Sequence, residues 1–148
     1  MTNREVIQIK EYIKGAFANM KESDFSDVVW YDLLKDEEYY GILQSVKNYI
    51  RAGNKFPPSI GEIIKGYELI IQDFANDILQ EMDDDGYFDD PEQTETEIAL
   101  WNKKNRKRKA FLWAEDLSKA PEWFKNDYSS YMQKRKRLFN RKMIGEAK

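Results

Sequence analysis

An all-α chain is the fold class that the sequence predicts, and three observations predict it. Apolar residues recur at three- and four-residue spacing through the first 80 positions, and strictly alternating β-branched runs are missing. Two Ser/Thr-x-x-Glu strings, Thr2 with Glu5 and Ser59 with Glu62, stand where helices should begin. A first helix is expected from Thr2, with Val6, Ile9, Ile13, Phe17 and Met20 on one face. A short second helix should follow the polar turn at Ser23 and Asp24 and bury some of Phe25, Val28, Val29, Leu33 and Leu34. Asp36 is the expected cap of a third helix with the stripe Tyr39, Leu43, Val46 and Ile50, and Gly53 suits a left-handed stop. Pro57 and Pro58 then exclude helix, after which Ser59 should open a long fourth one carrying Ile60, Ile63, Ile64, Tyr67, Ile70, Ile71, Phe74 and Ile78.

Further on, Asp89, Asp90, Pro91 and Glu92 suit the start of a helix that runs through Ile98, Trp101 and a basic stretch to Trp113. Acidic residues favour its beginning and Lys/Arg its end. Pro121 interrupts, and a last helix from Glu122 aligns Phe124, Tyr128, Tyr131, Met132, Leu138 and Phe139. No internal repeat is present.

Charge and core are unevenly spread over the 148 residues. The net charge of -3 hides a segment 73–100 with 11 acidic and no basic groups, followed by residues 101–148 with 15 basic and 5 acidic ones. Of the 34 Leu, Ile, Val and Phe residues, 24 lie in residues 1–80, so only the first part is expected to fold readily alone. The expected organisation is a small four-helix N-terminal domain (1–80), an acidic linker (81–95) and a helical, basic and aromatic C-terminal arm (96–148).

The absence of Cys and His removes disulfides, Cys/His zinc sites, Cys nucleophiles and imidazole bases. No Gly-rich phosphate loop and no G-x-S-x-G string occurs, so neither an enzyme nor a cofactor is expected. Gly53 and Asn54 beside Lys55 lack the phosphate-loop pattern and read as a turn. No apolar run approaches the roughly 18–20 residues that cross a bilayer, and the first residues do not resemble a secretory signal, so a soluble protein of the cytoplasm is expected, with no membrane partner.

Three segments carry candidate chemistry. Residues 81–92 can be laid on a twelve-residue calcium loop, with carboxylates at positions one, three, five, nine and twelve and Gly86 at the turn. Glu81 at the first position and the lack of a partner loop favour a solvated acidic linker instead, and no metal site is expected. Lys103, Lys104, Arg106, Lys107, Arg108 and Lys109 form a basic patch near Trp101, Phe111 and Trp113. Such a patch suits phosphate contacts with stacking rings. A helix would spread these charges, however, and the acidic segment would repel DNA or fold back onto them. Three of the four Trp residues, Trp101, Trp113 and Trp123, fall in the half poor in aliphatic side chains. Either they anchor a partner, together with Phe111, Phe124, Tyr128, Tyr131 and Met132, or they pack on one another in a satellite core.

The order of features in residues 1–72 is specific: Val28-Val29-Trp30-Tyr31-Asp32-Leu33-Leu34, then Tyr39-Tyr40, then Val46-Lys47-Asn48-Tyr49-Ile50, then Asn54-Lys55-Phe56-Pro57-Pro58-Ser59-Ile60-Gly61-Glu62-Ile63. This resembles the phage replicative-helicase loader/inhibitor family over about half the chain. The motif residues Phe56, Pro57, Pro58, Ser59, Ile60, Glu62 and Ile63 read as a Phe anchor, a rigid turn and a capped helix start. The resemblance implies a helical N-terminal domain, a C-terminal region poorly ordered alone, and engagement of a hexameric DnaB-type helicase held inactive until an origin-bound initiator receives it. It implies no catalytic residues.

The expected function is therefore that of a replication adaptor whose partner is a phage or host helicase, or the host's own loader or initiator. Two alternatives stand beside it. One is a nucleic-acid-binding accessory protein using residues 103–109, with DNA a secondary partner in the adaptor reading; the other is a phage protein that blocks a host replication or defence factor.

Overall fold

The computed structural model of the chain describes residues 1–20, 26–89 and 97–147. The architecture is all-helical, with no strand among the described residues. The helices are α1 (Asn3–Ala16), α2 (Asp27–Leu34), α3 (Tyr39–Arg51), α4 (Ile60–Asp84), α5 (Glu97–Glu115) and α6 (Glu122–Ala147), with a 3₁₀ turn at Leu117–Lys119 before α6. The chain divides into two compact units, Met1–Ile71 and Gln72–Lys148, and the division falls within α4.

In the first unit, Thr2 caps α1 through a full capping box with Glu5. Val6, Ile9 and Ile13 are buried along one face; α1 stops before Phe17, which is buried beyond the helix end and tilts against Tyr49. Buried Lys10 holds Asp27 at the start of α2. In α2 the inward face is Trp30 and Leu34, one turn apart, so Val28, Val29 and Leu33 stay exposed. The expected turn at Ser23 and Asp24, and Phe25, lie outside the described residues.

Asp36 does not cap α3. The Glu37 amide bonds back to Leu34, which prolongs the turn, and Glu38 precedes the helix without a side-chain cap. Ile42 and Val46 are fully buried, while Tyr39, Leu43 and Ile50 pack at the margin of the core. Gly53, at φ +80°, terminates α3 as a left-handed residue. A Cβ on Gly41 would collide with the Tyr67 ring, so a glycine is what lets that ring lie on the α3 backbone. Ser45 Oγ donates to the Ile63 carbonyl at 2.6 Å, a buried bond that fixes α3 against the start of α4.

The second unit has a core of its own. Ile78, Leu79 and Met82 from α4 meet Phe88, Ala110, Ala120, Phe124 and Tyr128, with Trp113, Leu117, Tyr131 and Met132 packed at the edge. Residues 81–84 complete α4, and Phe88 is 2% exposed. The chain from 81 to 89 is thus folded structure rather than solvated linker; of residues 89–92, where the fifth helix was expected to open, 90–92 lie outside the described residues. The last helix begins at Glu122 after Pro121, as the residue pattern predicts. No helix among the described residues is long and apolar enough to cross a membrane.

Candidate protein-docking site

The acidic and basic segments meet inside the second unit. Asp83 of α4 receives Lys107 at 2.6 Å and Lys103 at 3.3 Å, and Lys103 also reaches Asp89 at 2.9 Å. The Lys107 ammonium, with Lys103 beside it, holds the Asp83 carboxyl below the usual carboxylate range, against the opposing effect of burial. The hydrogen bond to Asp89 does most to raise Lys103. Along α6, Arg135 meets Asp77 at 2.5 Å and lies over the Phe74 ring, Lys134 meets Glu81 at 3.6 Å, and the Tyr131 hydroxyl donates to Asp85, which pushes its pKa up. Of the two outcomes weighed for the basic run beside the acidic one, folding back is what occurs at Lys103 and Lys107.

The other cations of the run differ from these two. Arg106 is partly buried, and its Nε and Nη2 atoms are covered with no hydrogen-bond partner among the described residues. Lys104, Arg108 and Lys109 are exposed. Two rows on α5, Lys103–Lys107–Phe111 and Lys104–Arg108–Leu112, line a groove of about 550 Å³. Leu112 carries no weight in the sequence reading, although its four-residue spacing from Arg108 was a signal that could have found it.

The aromatic residues expected to contact a partner separate into two groups. Phe124 and Tyr128 are buried and stack at 5.4 Å, and Trp113, Tyr131 and Met132 pack against them, so this group forms the satellite core. Phe111 and Trp123 are about half exposed, with Trp123 edge-on to Trp113 at 6.0 Å and to Phe124 at 5.8 Å. Trp101 belongs to α5, and its side chain lies outside the described residues. Calcium ligation by residues 81–92 meets occupied carboxylates: Asp83 is held by two lysines and Asp85 by Tyr131. No cluster of acidic side chains arranged for a metal occurs among the described residues.

The motif turn of the first unit is built from the backbone outward. Tyr49 Oη donates to the Phe56 carbonyl at 2.9 Å, and Asn54 Nδ2 donates to the Tyr49 carbonyl at 2.8 Å. Pro58 and Ile63 are buried, Ile60 is half-buried, and Pro57 is partly covered. The Glu62 amide donates to Ser59 Oγ and the Ser59 amide to Glu62 Oε1, both at 3.1 Å. Phe56 departs from the expected anchor: its side chain is 70% exposed, and the turn is held instead by the Tyr49 hydrogen bond to the Phe56 carbonyl and by buried Pro58.

The motif turn and the helices around it are the part of the chain that resembles the phage helicase loader/inhibitor proteins. Residues 1–64 match the family model for the N-terminal domain of the phage gene 39 protein, a stretch that takes in the whole motif turn and the capped start of α4. No curated protein and no solved structure matches the chain.

Proposed function

We propose that the chain is a non-enzymatic adaptor that binds a hexameric DnaB-type replicative helicase in the infected host's cytoplasm and controls its loading. The observation that carries this reading is the match of residues 1–64 to the gene 39 protein N-terminal domain, together with the intact Phe56 to Ile63 turn. The first unit serves as the family scaffold, and the second supplies the helicase contact through Phe111, Trp123 and the exposed cations Lys104, Arg108 and Lys109. Control of a motor by such an adaptor needs no bond chemistry: a ligand that prefers one subunit arrangement of a cycling ring stalls the cycle. The same logic holds for a phage helicase and for the host's.

The three exposed cations also favour a second reading, direct binding of DNA. Its charge is reduced by the pairs that Lys103 and Lys107 already make. The experiment is size-exclusion co-elution of the full chain with phage and host replicative helicases, with and without ATP. Co-elution with an ATP-loaded ring supports the adaptor; a chain that elutes alone with every helicase, yet shifts with single-stranded DNA, transfers the function to the second reading.

A further inference from the structure

Phe111 and Leu112 are 46% and 59% exposed at one end of the α5 groove, and Lys103, Lys104, Lys107 and Arg108 line the rest of it. Lysine and arginine stems give such a wall hydrocarbon while their charged ends sit at the rim. The order along the helix gives the groove a direction. Charge comes first, and large apolar side chains follow about one helical turn later, ~5–6 Å along the axis.

A matching ligand carries carboxylates and apolar anchors on one face at the same spacing, which describes an acidic amphipathic helix. A nucleic-acid strand fits less well. Lys103 and Lys107 are already neutralised by Asp83 and Asp89, so within the lining only Lys104 and Arg108 bring charge without an ion pair among the described residues. Affinity for a phosphate backbone grows with the number of phosphates neutralised.

We propose that this face of α5 is the docking groove for an acidic, amphipathic helical segment of a protein partner. Phe111 and Leu112 receive its apolar side chains, and Lys104 and Arg108 its carboxylates. The proposal rests on the adaptor reading, which makes the partner a protein, but the groove is testable apart from the helicase. The probes are a labelled helical peptide with a Leu face flanked by Glu, its copy with Lys for every Glu, and labelled oligo-dT, each titrated with the full chain. The acidic peptide should bind saturably, and the Lys copy should not. Phe111→Ala and Arg108→Glu should each weaken it about tenfold or more while the protein stays folded with a cooperative melt, since neither side chain belongs to the buried core. Failure of the acidic peptide to bind, equal binding by both variants, or its displacement by oligo-dT overturns the groove assignment. Unlabelled helicase with ATP, added as competitor, separates the two readings. Displacement of the peptide supports both, whereas a bound peptide that helicase leaves in place upholds the groove and removes the helicase as its occupant.

Discussion

Asp83 Oδ2 lies 2.6 Å from Lys107 Nζ, joining the most acidic part of the chain to its most basic part. Only 12% of the Asp83 side chain is exposed, and Lys103 approaches the other carboxylate oxygen at 3.3 Å. Lys103 and Lys107 of the basic run are thus counterions of Asp83 and Asp89 within one folded unit.

Replacing this carboxylate should weaken the second unit in a pH-dependent way. Asp83→Asn keeps the shape and removes the charge, at an expected cost of about 1–2 kcal/mol at neutral pH, between the values for exposed and buried charged pairs. Because the folded-state pKa lies below the ordinary 3.8, the ionised form favours folding. That contribution is complete above the ordinary value and is lost as pH falls through the folded one. Thermal melts of both proteins should therefore differ by a constant amount from pH 7 to about 4.5 and converge below pH 3.8. Equal stability at pH 7 would show that the pair contributes nothing.

The two adjacent rings Trp123 and Phe124 should behave oppositely. Phe124 is completely buried, so Phe124→Ala should cost about 3–5 kcal/mol. Trp123 is 49% exposed and should lose little beyond its edge contacts, about 0.5–1.5 kcal/mol on replacement by Ala. Urea denaturation of the two variants measures both. A larger loss at Trp123 would move that ring from surface to core.

Much of the first unit was legible in the sequence because its signals are local. Capping boxes at Thr2 and Ser59, the Gly53 stop and the Val6, Ile9, Ile13 stripe depend on residues three or four apart. The start of α3 was not, since the Glu37 bond to Leu34 that delays it depends on how the preceding turn closes. The core of the second unit escaped a count of aliphatic residues because it is built from Tyr128, Met82, Ala110 and Ala120 as well as Phe88 and Phe124. Which aromatic rings face inward depends on where α4, α5 and the chain after Pro121 meet. Spacing along one helix does not carry that information.

The motif turn should be scaffold. Ser59→Ala removes one half of the capping box and should cost about 0.5–2 kcal/mol of stability. Affinity for a helicase should be almost unchanged, because Ser59 acts on the Glu62 amide within its own helix start. Parallel melting and binding measurements check this, and a binding loss exceeding the stability loss would place the turn in an interface.

Calcium should be without effect. Asp83 and Asp85 are engaged by Lys103, Lys107 and Tyr131, and residues 81–84 are helical rather than looped around an ion. Millimolar calcium should leave the melting temperature and tryptophan fluorescence where they are. A saturable shift in either would restore the calcium-loop reading of residues 81–92.

The central claim is that this chain acts on a helicase ring and not on DNA. The most direct measurement is fluorescence anisotropy of the labelled full chain, titrated at one salt concentration with ATP-loaded hexameric replicative helicase and, separately, with oligo-dT. The account predicts a saturable rise with helicase that Phe111→Ala weakens, and little response to DNA. Strong binding to oligo-dT, falling steeply with salt while helicase gives no response, would contradict it.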